Sequence, residues 1–243
     1  MTGVQTCALP IYVVVNCAAF TQVDAAESDP RASEVNAGGV RVLAQACLRQ
    51  SCQLAQISTD FVFAGDSSAP YLEGDRTGPV SAYGRGKLEG EEAALAVPTG
   101  LVVRSSWLFG RGGWNFVEAI LKQAEGGKRS VDVVNDQRGR PTATTDLAEA
   151  ILALLGAGAV GIFHFANAGE ATWFDFAQDI LLLSGHGDVA VVPTTFGELA
   201  RPARRPSYSV LATGKYEAVT GRAIRHYREP LIEYLAVRAE PEL

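Results

Sequence analysis

Tyr83 and Lys87 stand four residues apart in the stretch 81–96, which follows Pro79, stops before Pro98 and reads as a helix. At i and i+4 the phenol and the ammonium share one helix face, close enough to interact. An unperturbed phenol titrates near about 10, and a neighbouring cation favours tyrosinate, so such a pair suits proton donation to a substrate oxygen at neutral pH. A second hydroxyl must hold that oxygen while hydride reaches the adjoining carbon. Ser58-Thr59-Asp60 offers one, at the end of a strand where open α/β sheets bind ligands. The same Tyr/Lys spacing also occurs on solvated helix faces. Its position directly after the strand that ends in Ser58-Thr59-Asp60 is what singles it out.

Alternating strands and helices position these groups. Residues 12–17 (YVVVNC) form a continuous β-branched run, suited to a central strand covered on both faces. Asp29-Pro30 reads as an N-cap followed by a first-turn proline, and the apolar spacing carries a helix to about Gln50. Further strands are expected at 53–58, 101–105, 131–134 and 162–166. Helices are expected at 81–96, 115–125, 145–155, 172–183 and from near Pro230, with loops at 64–79 and 193–206. Right-handed crossovers turn this order into an α/β fold with a Rossmann-like, doubly wound parallel sheet. Residues 12–143 are assigned to a partial dinucleotide-binding domain, and 144–243 to a mixed segment that completes the sheet and forms a small C-terminal α/β substrate-binding part.

One glycine pattern is a decoy. Gly156, Gly158 and Gly161 satisfy G-x-G-x-x-G, but a helix precedes them and a strand follows, the reverse of a dinucleotide fingerprint, so they read as a helix C-cap and turn. No other glycine cluster follows a strand near the start of the chain. The first eleven residues, Met1 to Ile11 (MTGVQTCALPI), have no amphipathic period and resemble translated sequencing adapter. They are read as a non-native leader, with the first βαβ portion expected upstream. A chain of this extent is then expected neither to bind a dinucleotide tightly nor to turn over.

Composition narrows the function classes. With 47% hydrophobic and 20% charged residues, 243 residues can bury a sizeable core. Twenty-one Lys plus Arg against 27 Asp plus Glu give a net charge of −6, and only 201–205 is a basic run, which argues against nucleic acid. The longest apolar stretch, 150–163, is shorter than the roughly 20 residues of a membrane helix and is broken by glycine. Cys7, Cys17, Cys47 and Cys52 lack metal-ligand spacing and read as buried reduced thiols, which points to the cytoplasm. No acidic cluster marks a metal site.

Seven motifs then occur in a telling order: Asn16-Cys17-Ala18-Ala19, Val23-Asp24-Ala25-Ala26-Glu27, Ser58-Thr59-Asp60-Phe61-Val62-Phe63, Tyr83-Gly84-Arg85-Gly86-Lys87-Leu88, Arg104-Ser105-Ser106-Trp107, Asn135-Asp136-Gln137 with Gly139-Arg140-Pro141-Thr142, and Ala203-Arg204-Arg205-Pro206. From Tyr12 onward the chain resembles the dTDP-4-dehydrorhamnose reductase branch of the extended short-chain dehydrogenases. The resemblance implies reduction of the 4-keto group of a dTDP-linked deoxysugar with NADPH or NADH, in L-rhamnose biosynthesis.

Carried over by position, the resemblance makes Tyr83 the proton donor, Lys87 the residue that lowers its pKa and holds the nicotinamide ribose, and Thr59 the hydroxyl that polarises the carbonyl. Cys17, Ala18, Ala19 and Ile57 would line the cofactor; Cys17 stands where the family usually has alanine, and Ile57 where it often has an aromatic residue. Small residues there also fit plain strand packing. Asp60 and Trp107 fall at sugar-nucleotide positions, though tryptophan also serves cores. Arg204 and Arg205 are candidates for the pyrophosphate, against the alternative of a solvated basic loop. Magnesium and a homodimer stay open. A non-catalytic regulatory subunit of the same fold, similar to the β subunit of methionine adenosyltransferase, and an inert fragment are the competing readings.

Overall fold

A computed structural model describes residues 11–238. Cys7 and all of the expected leader except Ile11 lie outside the described residues. The chain runs through β1 (Val13–Asn16), an irregular helical entry that becomes α1 (Val40–Gln50), β2 (Gln53–Thr59), α2 (Ala82–Leu95), β3 (Leu101–Ser105), α3 (Phe116–Glu125) and β4 (Ser130–Val134). It continues as α4 (Thr144–Gly156), β5 (Gly161–His164), α5 (Trp173–Leu183), β6 (Ala190–Thr194), α6 (Gly214–Thr220) and α7 (Arg228–Arg238).

Strands β1, β2, β3 and β5 form one parallel sheet in that order. Alternation along β2 and β3 sends Ala55, Leu101 and Val103 against Leu147, Ile151 and Leu154 of α4, while Leu54 and Val102 pack with Val40 and Ala44 of α1 and Ala94 of α2. Apolar residues on both faces of one strand require a helical layer on each side, which is the three-layer α/β arrangement read from the sequence. The Gly156–Gly161 segment closes α4 and opens β5, with Gly158 and Gly161 at positive φ, a helix end and turn.

Two strands differ from the sequence reading. β1 is an edge strand paired with β2 alone among the described residues, and Val13 and Val15 are 37% and 41% exposed, not covered on both faces. β4 leaves the central sheet altogether and pairs in parallel with β6. Its alternation explains this: Val131 and Val133 are buried against Val117, Ile120, Phe176 and Ile180, whereas Ser130 and Asp132 face solvent. Such a strand suits a sheet with one covered face. β6 escaped notice because Pro193 interrupts it and most of its side chains are exposed. The division at residue 143 therefore crosses the second core, with α3 and β4 before it and α5 and β6 after it.

The helix that carries Tyr83 and Lys87 is seated by close backbone approach. Ser81 caps α2, its hydroxyl accepting from the Gly84 N–H at 3.1 Å. A Cβ at Gly84 would lie 2.3 Å from the Phe61 carbonyl oxygen, and one at Gly90 would lie 2.4 Å from the Asn36 carbonyl oxygen. The second contact falls on a π-helical stretch, Glu34–Gly39, in the entry to α1. From that stretch the Asn36 side chain accepts from Phe20 N at 2.8 Å and donates to Phe20 O at 3.0 Å, pinning the segment after β1.

Gly90→Ala is therefore expected to destabilise the fold by about 1–3 kcal/mol through overpacking, although alanine is the better helix former by about 1 kcal/mol. Gly86→Ala, whose Cβ would meet Asn36 Cβ at 3.4 Å, should be neutral or stabilising. Urea midpoints of the two variants measure this, and equal effects would remove the close approach at Gly90 as the cause.

Candidate active site

A cleft of about 1060 Å³ opens at the carboxyl ends of β1, β2 and β3. Thr59, the last residue of β2, and Tyr83, in the first turn of α2, both line it. The Tyr83 phenol is pushed up to about 12, chiefly by burial; the Thr59 hydroxyl beside it pulls the other way and the Asp60 charge adds to the rise. It is therefore fully protonated at neutral pH, an acid ready to give its proton. Thr59 Oγ1 in turn donates to Asp60 Oδ1 at 3.0 Å and accepts from Phe61 N at 3.2 Å. The Phe61 ring meets Tyr83 edge-on at 5.7 Å.

Lys87 is buried one turn along the helix, and its Nζ donates to the Ile57 carbonyl oxygen at 2.6 Å. Burial brings its pKa down to about 8, opposed chiefly by the charge of Glu91. The sequence reading gave Lys87 the task of lowering the phenol's pKa. In the structure burial governs the phenol, and the ammonium is fastened to the strand.

One further turn along lies Glu91, on the same stripe of α2. Its carboxylate accepts from Ser58 Oγ at 2.5 Å, from Arg104 Nε at 2.9 Å and from Arg104 Nη2 at 2.7 Å. Both members of this ion pair are 2% exposed. Arg104 comes from β3 and lies 5.0 Å from the centre of the Phe63 ring. Burial and the Arg104 charge hold His164 neutral, near a pKa of about 3. Helix α2 is thus joined to β2 and β3 by a polar cross-link beneath the pair that faces the cleft.

Cys17, Ala19 and Ile57 border the same cleft, as do Asp60 and Trp107, but Ala18 does not. Cys17 is exposed, unlike the buried free thiols Cys47 and Cys52. Arg204 is exposed and away from the cleft lining. Arg205 borders it, yet its guanidinium is held by Asp24, at 3.0 Å to Oδ1 and 2.9 Å to Oδ2, and lies 5.5 Å from the Phe196 ring centre. The structure leaves Arg204 off the cleft, whereas Arg205 and Arg201 both border it, Arg201 about half exposed and the freer of the two.

Several lining residues were assigned no role from the sequence. Trp173 stacks on Trp107 with ring centres 3.6 Å apart and planes at 6°. Gln137 and Ser209 sit in motif and loop context, and Ser209 Oγ donates to Asp60 Oδ2 at 2.5 Å. Among the described residues no group of three or more His, Cys, Asp or Glu side chains is placed to hold a metal ion, and no helix is long and apolar enough to cross a membrane.

The family model described as the RmlD substrate binding domain matches residues 6–239. A dTDP-4-dehydrorhamnose reductase of Streptomyces griseus is 47% identical over 230 residues, covering 91% of this chain and 75% of that protein. The chain belongs to the dTDP-4-dehydrorhamnose reductase family. A crystal structure of a family member from Clostridium acetobutylicum matches with a TM-score of 0.90 at 41% identity, covering 94% of this chain and 81% of that one. Another, a Bacillus anthracis reductase in complex with NADP, matches with a TM-score of 0.87 at 32% identity, covering 93% and 80%. Membership of this reductase family agrees with the resemblance read from the motifs; neither the non-catalytic alternative nor the expected loss of cofactor binding and turnover draws support from these relatives.

Asp60 gives the site a pH signature. Burial raises its carboxyl to about 6, against a normal value of 3.8, with the Ser209 and Thr59 hydroxyls pulling the other way. A carboxyl that holds its proton more tightly when folded stabilises the fold most below its unfolded pKa, and that contribution is lost as pH rises from about 4 to about 6. Asp60→Asn should therefore gain stability relative to the parent across this window, on the order of 2–3 kcal/mol, and stay level above it. Urea unfolding at pH 4.5, 6 and 8 reads this, and a gain that shrinks with rising pH would contradict the buried, proton-retaining carboxyl.

Proposed function

We propose that the protein reduces the 4-keto group of dTDP-4-dehydro-L-rhamnose to give dTDP-L-rhamnose, with NADPH as reductant. The observation that carries this reading is the meeting of the protonated Tyr83 phenol and the Thr59 hydroxyl at the end of β2, beside buried Lys87, in a chain of this family. A reduced nicotinamide, when bound, supplies hydride to the carbonyl carbon.

The residues present suit such a cofactor at the nicotinamide end. Cys17 and Ala19 are small, and Ile57 is apolar, where the cleft meets the tips of β1 and β2. Lys87 carries three N–H donors and uses one on Ile57 O, which leaves two for ribose hydroxyls. Its ammonium is still charged at neutral pH.

For the substrate, the Thr59 hydroxyl and the Tyr83 phenol are the two groups able to meet one carbonyl oxygen. Phe61 N holds the Thr59 oxygen in place, and the single Thr59 proton, given to Asp60 Oδ1 in the structure, turns to the carbonyl oxygen when substrate binds. As the carbonyl carbon gains hydride, its oxygen becomes an alkoxide and takes the Tyr83 proton. The high pKa of the phenol keeps that proton in place until a stronger base forms against it. Trp107 and Asp60 are the groups we assign to the sugar, and Arg201 with Arg205 those we assign to the diphosphate. The unbonded thiols of Cys17, Cys47 and Cys52 support the cytoplasm as the compartment.

The test is NADPH oxidation by the full-length protein with dTDP-4-dehydro-L-rhamnose. Tyr83→Phe should lower turnover by about 10²- to 10⁴-fold with NADPH affinity unchanged. Turnover within about threefold of the parent would remove Tyr83 from the proton-donor role, and no oxidation by the folded parent would overturn the activity itself.

A further inference from the structure

Three buried side-chain atoms among the described residues have no hydrogen-bond partner: Ser105 Oγ, Gln137 Nε2 and Arg140 Nε. Two of these residues, Ser105 and Gln137, border the cleft. A buried donor without a partner is unfavourable, so its presence on a cleft wall suggests an acceptor brought by a ligand. Ser105 can turn its hydroxyl to suit its surroundings. Gln137 cannot, because the Trp173 indole Nε1 donates to its Oε1 at 3.2 Å. An indole N–H only donates, so the atom it meets must be the amide oxygen, and the amide NH₂ is left as the unpaired group.

The surroundings of that NH₂ narrow the ligand chemistry. Trp107 lies between Trp173, on which it stacks, and Gly139, where a Cβ would come within 2.5 Å of the indole. The segment Gln137–Gly139 and the two indoles thus form one rigid wall. Trp107 follows Ser105 by two residues, no more than about 7 Å of extended chain, and Ser105 is the register partner of Thr59. The wall therefore adjoins the end of the cleft where the carbonyl is held. The cations suited to a diphosphate, Arg201 and Arg205, sit instead on the loop tied to Asp24. A neutral, oriented amide beside flat apolar rings matches a neutral oxygen on the hexose.

We infer that Gln137 determines sugar specificity, its Trp173-oriented amide NH₂ donating to a ring hydroxyl of the nucleotide-linked hexose. This rests on the reductase reading above and names a contact within the same cleft. It also accounts for a feature the motif left unexplained: Gly139 is required so that Trp107 can lie flat, and Trp107 and Trp173 together hold the amide in place.

The measurement is calorimetric binding of dTDP-L-rhamnose and of dTDP alone to the full-length parent, Gln137→Leu and Gln137→Glu. Gln137→Leu removes the amide. Gln137→Glu keeps an oxygen for the Trp173 N–H, removes the donor and adds a carboxylate, whose charge the dTDP arm reads separately. Both variants should bind dTDP-L-rhamnose roughly 10- to 100-fold more weakly than the parent while binding dTDP as the parent does. Equal weakening for both ligands would place the amide on the nucleotide and overturn the inference, and so would unchanged binding of dTDP-L-rhamnose. A Gln137→Glu variant that binds the sugar nucleotide like the parent would also overturn it. Failure of the reductase reading shows separately, as a parent that binds dTDP-L-rhamnose yet oxidises no NADPH with the keto sugar.

Discussion

The carboxylate of Glu91 is the point at which helix and sheet are joined. It stands on the same stripe of α2 as Tyr83 and Lys87, and it binds a serine from β2 and an arginine from β3 in a region closed to solvent. An ion pair so deeply buried adds little net stability compared with well-packed apolar residues, since both charges must be dehydrated. What it does supply is position. Only one rotation of α2 brings Glu91 between Ser58 and Arg104, and that rotation also brings Lys87 to the Ile57 carbonyl and Tyr83 to Thr59. Gly84 and Gly90 set the depth of the same helix, through approaches that a Cβ would block.

The second lobe is built on a different principle. Its core of Phe109, Ile120, Phe176 and neighbours packs around a small separate sheet, and its contribution to the cleft comes from aromatic faces in place of charges. Trp107 adopts a positive φ of 48° where the chain leaves β3, a conformation that costs a non-glycine residue on the order of 1–3 kcal/mol. The stack with Trp173 and the flat approach over Gly139 hold it there. A cleft between a charged, hydrogen-bonded wall and an apolar aromatic one suits a ligand with a polar reacting end and a ring to be gripped.

The central sheet was legible because β2 and β3 bury both faces, and a run such as LVVRS leaves little choice of environment. The helix starts expected at 81, 115 and 172 coincide with Ser81, Asn115 and Thr172, each of which the structure shows capping the helix it precedes. Tyr83, Lys87 and Thr59 were legible because their relation is local or falls at a strand end. What sequence could not show was pairing at a distance. The partner of Arg205 is Asp24, and nothing in either neighbourhood marks that contact, so the arginine read as free for phosphate. The same holds for β4, whose partner β6 lies beyond α4, β5 and α5. Gln137 was visible as a motif member, but its role depends on the indole of Trp173, which opens a helix that looks ordinary in sequence.

The claim that the buried pair fixes α2 on the sheet is tested most directly by urea unfolding of Glu91→Leu, Arg104→Met and the double variant in the full-length protein. If the pair acts as one unit, each single substitution leaves a buried charge or donor unpaired and costs about 3–5 kcal/mol, while the double variant loses far less than the sum. Losses that simply add, or single variants within about 1 kcal/mol of the parent, would mean that Glu91 and Arg104 act independently and that something else holds the helix in place.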